Sequence, residues 1–178
     1  MRDAPSRERY SIDMTASSAL SRARLIAILT PSLLLGGALL SQYVGSLYPC
    51  EMCMWQRWPH LVAIFFALDA IALRSRPPIS ALFTLLAALA IGVSGATGAF
   101  HAGVEYGWWQ GLTACTASAN TASVEDMLDS IMNAPVTRCD VAPWSLFGIS
   151  LAGYNAIISL GAAAVTTALV ASWNKDAR

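Results

Sequence analysis

Residues 25–44 read LIAILTPSLLLGGALLSQYV, twenty residues without a charged side chain. A helix of about 20 apolar residues crosses the hydrocarbon core of a bilayer, and in that medium a helix satisfies its own backbone groups. The stretch is therefore expected to be a first transmembrane helix, with Pro31 as a kink. A cleaved signal peptide would have a shorter apolar core of roughly 7–15 residues, and the Gly36–Gly37 region is a poor cleavage site. A retained span is the expectation.

Three further stretches repeat the pattern. A second span is expected from Met54 to Leu73, polar at its start and apolar through LVAIFFAL. The basic turn Arg74-Ser75-Arg76-Pro77-Pro78 stops it and allows a third span, Ile79 to Phe100, to begin. That span ends in the small-residue run from Gly92 to Ala99, whose spacing lets helices approach closely in lipid. A fourth span is expected from Trp144 to Trp173. Of the 178 residues, 56% are hydrophobic and 12% charged, about half the charge of a soluble domain. The fold class that follows is an all-α membrane protein, a four-transmembrane-helix bundle. Its domain spans 25–173, between an N-terminal segment 1–24, expected to be poorly ordered or on the surface, and a tail 174–178. A formal net charge of zero gives no reason to expect nucleic acid as a partner.

Charge placement sets the expected orientation. Nine of the eleven basic residues (Arg2, Arg7, Arg9, Arg22, Arg24, Arg74, Arg76, Lys175 and Arg178) lie in the N-terminal segment, the turn between spans two and three, or the C-terminal tail. The positive-inside rule places those segments in the cytoplasm. The loops at about 45–53 and 101–143, which hold all four cysteines, then lie outside; for a bacterial inner membrane this is the periplasm. Tyr43, Tyr48, Trp55, Trp58, Tyr106, Trp108, Trp109 and Trp144 gather at the same boundary, as an interfacial aromatic belt does.

The second outer loop contains SVEDMLDSIM at 123–132, with Val124, Met127, Leu128, Ile131 and Met132 on one helical stripe. A short amphipathic helix is expected there, capped by Ser123 with Asp126. It would lie either on the membrane surface or against the rest of the loop.

The chemistry is expected at PCEMCMWQR, residues 49–57, where the first loop meets the second span. A Cys-x-x-Cys pair there faces water on one side and lipid on the other. If Cys53 opens the helix, Arg57 at i+4 falls on the same face. The helix N-terminus and the guanidinium would both favour a Cys53 thiolate. Cys115 and Cys139 do not repeat the Cys-x-x-Cys spacing, so no metal site is expected. In an oxidising compartment they form either a plain structural disulfide or a second redox pair. Thiolate attack on a disulfide sulfur passes electrons between dithiols, so two pairs on one face can act in series.

The run Pro-Cys-x-x-Cys-x-x-Gln-Arg, the four spans and the second outer cysteine pair together resemble the disulfide bond formation protein B (DsbB) family of membrane oxidoreductases. His101-Ala102-Gly103-Val104-Glu105, and Cys139-Asp140 followed by Trp144, Gly148 and Ser150, are also similar to family positions. The resemblance covers about residues 25–170. It implies oxidation of a periplasmic thioredoxin-like partner of the DsbA type, with electrons passed to ubiquinone (or menaquinone) in the bacterial inner membrane. Cys53 would react with the quinone and Cys50 would complete its disulfide. Cys115 would form the mixed disulfide with the partner, and Cys139 would pair with Cys115. Arg57 would hold a quinone oxygen, with His101 nearby. Position 56, Glu in some members, is Gln here, which leaves no carboxylate to share Arg57. His60 has no role implied by the resemblance and is expected to be structural. Two other readings compete: a vitamin K epoxide reductase-like protein, which usually carries its Cys-x-x-Cys at a late span, and a non-enzymatic four-span protein with two structural disulfides.

Overall fold

A computed structural model describes residues 5–112 and 137–176, with the side chains of 18–112 and 137–175. Cys115 and the expected loop helix at 123–132 lie outside the described residues. Among the described residues four long helices carry the fold: α1 (Pro5–Tyr43), α2 (Glu51–Ala72), α3 (Pro77–Glu105) and α4 (Leu151–Asp176). A two-stranded hairpin, β1 (Ser145–Leu146) with β2 (Ile149–Ser150), precedes α4.

Helix α3 packs most extensively, against α2 and α4, while α1 closes the ring between α4 and α2. The bundle is built inside out relative to a soluble one. Many of its buried positions are small, including Ala23, Ala27, Ala63, Ala67, Ala87, Ser80, Ser94 and Gly98. Leu33, Leu40, Phe65, Leu89 and Ile157 face outward. Lipid rewards this pattern, because tight backbone approach rather than burial of large apolar groups holds helices together there. Among the described residues three segments are long and apolar enough to cross a membrane: Ser18–Tyr43, Pro77–Glu105 and Leu151–Lys175. Helix α2 has 22 residues, but Gln56, Arg57 and His60 make its first half polar.

Three boundaries differ from the sequence expectation. Helix α1 begins at Pro5, well ahead of Leu25, where the first span is expected to start. Proline is tolerated in a first helical turn, and no glycine or proline interrupts the chain again before Pro31. Leu20 and Ala23 anchor this extension against Ala81 of α3 and Val170 of α4. The helix also continues through Pro31.

Helix α3 runs past Phe100 to Glu105, so His101 is helical rather than the first residue of a loop. It stops at Gly107, whose φ of 73° is left-handed. The Gly107 N–H donates to the Val104 carbonyl at 3.1 Å and the Trp108 N–H to the Gly103 carbonyl at 2.8 Å, the paired bonds of a Schellman ending.

Helix α4 begins at Leu151 instead of Trp144, because Phe147 (φ 51°) and Gly148 (φ 77°) form the two-residue turn of the hairpin. The Tyr106 hydroxyl clasps this hairpin, donating to the Gly148 carbonyl and accepting from the Ser150 N–H, both at 3.1 Å.

Candidate active site

Cys50 is the N-cap of α2: its backbone is extended and its Sγ accepts from the Cys53 N–H at 3.2 Å. A thiol thus takes the place that Ser or Asp fills at most helix starts. Cys50 and Cys53 are free thiols. Cys50 is buried, in an apolar cluster with Met52, Val104 and Cys139, and Cys53 and Phe100 pack on that cluster. Cys139 is disulfide-bonded. Its segment is also tied down beside the first pair, where the Thr137 hydroxyl donates to the Pro49 carbonyl at 3.3 Å. The structure therefore brings Cys139 together with Cys50 in one cluster, on which Cys53 packs.

Cys50 and Cys53 precede the apolar part of α2, and their thiols are split in opposite directions. A thiol–thiol hydrogen bond, which Cys50 donates to the Cys53 sulfur, raises Cys50 and lowers Cys53; burial pushes Cys50 further up, while the Cys53 N–H on Cys50 Sγ pulls the other way. Arg57 contributes the smallest of the pulls on Cys53. The reason is its direction: its guanidinium donates to the Gln42 side chain and, at 3.1 Å, to the Ala38 carbonyl, both on α1. The thiolate device is thus mainly the Cys50 partner, and Arg57 joins α2 to α1 beside the cavity.

In protein that keeps Cys50 as a free thiol and the disulfide at Cys139 intact, Cys53 alkylation should rise through an inflection below the usual thiol value of about 8.5. Cys50→Ala should move that inflection upward, because the largest pull on Cys53 is lost. A pH profile of iodoacetamide labelling checks this; an unmoved inflection counts against it.

A cavity of about 280 Å³ opens beside the pair, mostly apolar, between α1, α2 and α4. Cys53, Gln56, Arg57, His60, His101 and Asn155 supply much of its polar wall. Leu33, Leu34 and Leu35 of α1 supply an apolar side.

Behind that wall runs a network that sequence reading did not anticipate. The Gln56 amide is oriented by Asn155, whose Nδ2 donates to Oε1 at 2.8 Å, and by its own Nε2 bond to the Met52 carbonyl at 3.2 Å. Its Nε2 then donates to His101 Nδ1 at 2.8 Å. This fixes the histidine tautomer. Nε2–H donates to the Cys139 carbonyl at 3.2 Å, with Cys50 Sγ 3.7 Å away and a Glu105 carboxyl oxygen 3.8 Å away. His101 therefore stands between Cys50 and Cys139 as a fixed donor.

The same bonds bear on metal binding. The ligand atoms of Cys50, Cys53 and His101 lie within 4.8 Å of one another. The His101 nitrogen facing the sulfurs carries a hydrogen, however, and freeing its lone pair would require turning Gln56 away from Asn155. The donor set suits thiol chemistry better than a cation.

Asn155 and Ser94 are the residues that the sequence reading missed, while Gln56 and Glu105 stood in its motifs without a part in this network. Their available signal was polarity within apolar helices: Asn155 and Ser94 sit in otherwise uncharged runs, and polar groups at such depth are commonly functional.

Long apolar helices around a buried dithiol define the class: a membrane protein built for thiol–disulfide chemistry. The family model "Disulfide bond formation protein DsbB" matches residues 21–169, and the chain belongs to that family. Membership makes it a thiol oxidoreductase of disulfide formation. The uncharacterized protein RP370 of Rickettsia prowazekii (strain Madrid E) is 24% identical over 139 residues, which cover 76% of this chain and 79% of the relative. No solved structure matches.

Proposed function

We propose that this protein oxidises the dithiol of a periplasmic, thioredoxin-like partner of the DsbA type and delivers the electrons to a membrane quinone, ubiquinone or menaquinone. The observation that carries the proposal is the packing of disulfide-bonded Cys139 against Cys50, with free Cys53 opening into the cavity. The second pair is Cys115 with Cys139. The partner's thiolate attacks that disulfide at Cys115; exchange regenerates the partner's disulfide and leaves Cys115 and Cys139 reduced. They in turn reduce a Cys50–Cys53 disulfide. Re-forming the Cys50–Cys53 bond releases two electrons and two protons, which convert a quinone to its quinol. Helix α2 from Met54 onward serves as the fourth span, both termini are cytoplasmic and the cysteine loops are periplasmic, as the basic residues favour.

The cavity fits such an acceptor. It offers apolar walls for a ring and its tail, Cys53 as the sulfur at the wall, and Arg57 as a charged donor. Arg57→Gln should raise the quinone KM by about tenfold or more, since a hydrogen bond from a charged group contributes roughly 1.5–3 kcal/mol. An unchanged quinone dependence would remove Arg57 from the binding site.

The decisive experiment mixes purified protein, reduced DsbA-type partner and ubiquinone, and compares quinone consumed with partner thiols oxidised. One-to-one stoichiometry of dithiol and quinone is expected; no consumption overturns the function. Cys115→Ala should block partner oxidation while leaving Cys50 and Cys53 able to reduce quinone once.

A further inference from the structure

Forming a quinol takes two electrons and two protons, but a pair resting as a Cys50 thiol and a Cys53 thiolate holds one proton. A neighbour has to hold the other. His101 is unsuited to that: its Nδ1 accepts from Gln56 and its Nε2–H is given to the Cys139 carbonyl, so it is a neutral ring with its hydrogen in use. Arg57 stays charged and turns to α1.

Glu105 is the titratable group placed for the task. It is the last residue of α3, its side chain is 2% exposed, and it lines the same cavity as Cys53. A negative charge on it acts on both Cys50 and Cys53 of α2. His101 Nε2 lies 3.8 Å from its Oε1, and the Ser150 hydroxyl of β2 faces its carboxyl. Among the described residues no Arg or Lys pairs with it; Arg138 is exposed and spent on Asp140. Its Oε2 is buried without a hydrogen-bond partner among those residues. Two negative charges sharing a buried site disfavour each other, and a buried charge left unpaired is costly. With both thiols free, this pocket suits one negative charge at a time.

We propose that Glu105 carries one of the two protons of the redox step, holding it while Cys53 is a thiolate and releasing it when the Cys50–Cys53 disulfide forms. The inference rests on the redox step of the reading above and deepens it. When the Cys115–Cys139 dithiol reduces the Cys50–Cys53 disulfide, one S–S bond breaks and another forms. Of the two donor protons, one goes to Cys50 and one to the Glu105 carboxylate, and Cys53 is left as a thiolate. Oxidation reverses this. The Cys50–Cys53 bond forms, two electrons pass to the quinone, and the protons of Cys50 and Glu105 follow them into the cavity to complete the quinol. The site keeps one negative charge throughout, on Cys53 or on Glu105.

The test is the reduced-minus-oxidised infrared difference spectrum of the purified full-length protein, poised with dithiothreitol and without quinone. The dithiol form should show the C=O stretch of a protonated carboxylic acid, replaced by carboxylate bands in the disulfide form. Glu105→Gln should abolish that exchange; if it does not fold, Glu105→Asp should shift the band. Over the same pH range the Cys50–Cys53 potential of Glu105→Gln should depend less steeply on pH. One proton fewer is a tenfold smaller change in the equilibrium per pH unit, about 30 mV for a two-electron couple. A wild-type spectrum without the exchange, a band that persists in Glu105→Gln, or an unchanged slope overturns the role of Glu105. No quinone is present, so such a failure leaves the quinone reading standing, whereas a failure of that reading shows as absent quinone consumption in the assay above.

Discussion

Cys53→Ala is expected to stop quinone reduction by partner thiols, by on the order of a thousandfold or more. The expectation comes from which sulfur meets the cavity. Cys53 lines it, whereas Cys50 is buried against Met52, Val104 and Cys139. Cys53 is also the sulfur with the lowered thiol, and the thiolate is the reactive form. Cys50 is held in its protonated form by the hydrogen bond that its thiol donates to Cys53. It can join a disulfide, but it is a poor first nucleophile. The two variants should therefore differ in kind. Cys53→Ala loses both the nucleophile and the disulfide. Cys50→Ala loses catalytic turnover but keeps a thiol at the cavity wall that still reacts with small alkylating reagents, at a higher pH. Stopped-flow quinone absorbance with each variant separates them. Unimpaired turnover in Cys53→Ala would end the mechanism.

The division of labour between these thiols was only half legible in the sequence. The motif at 49–57 located the pair and placed Arg57 on its face, because side-chain direction on a helix follows from spacing alone. Spacing could not reveal that Arg57 turns to Gln42 and Ala38 of α1, since that choice depends on where a third element packs. The position of Cys50 as N-cap was equally hidden. A Cys-Glu-Met-Cys run permits a helix start at any of its first residues, and the β-region backbone of Cys50 selects one.

The long apolar runs were readable because a bilayer imposes a length on them. Their ends were not, because local chemistry sets them. Gly107 ends α3 one turn beyond His101, and the Phe147–Gly148 turn delays α4. The Gln56–Asn155–His60–Ser94 network illustrates the same limit. Each member was visible as a polar residue in an apolar run, but their meeting across α2, α3 and α4 is a fact of packing. Gln56 in particular looked like a missing carboxylate. In the fold its amide does what a carboxylate cannot: it donates to His101 Nδ1 while accepting from Asn155.

Gly98→Val should disassemble that network and lower stability by about 1–3 kcal/mol or more, the usual cost of overpacking a tight interior. A Cβ on Gly98 would lie 2.9 Å from Asn155 Nδ2, 3.0 Å from the Ala152 carbonyl oxygen and 3.1 Å from Gln56 Oε1. The first and third of these atoms form the bond between α2 and α4, so the strain falls where the Gln56 amide is oriented. Relief by moving Asn155 or Gln56 frees His101 to change tautomer, and the donor toward Cys139 and Cys50 is then no longer fixed. Gly98→Val is thus expected to reduce the melting temperature in detergent and to slow exchange between the two cysteine pairs together. Gly36→Val is the control, because a Cβ there meets nothing within 4 Å. It should leave both measurements near wild type. If Gly98→Val lowered the melting temperature but left the exchange rate intact, the small-residue run would serve helix packing alone and the network would not orient the redox pair.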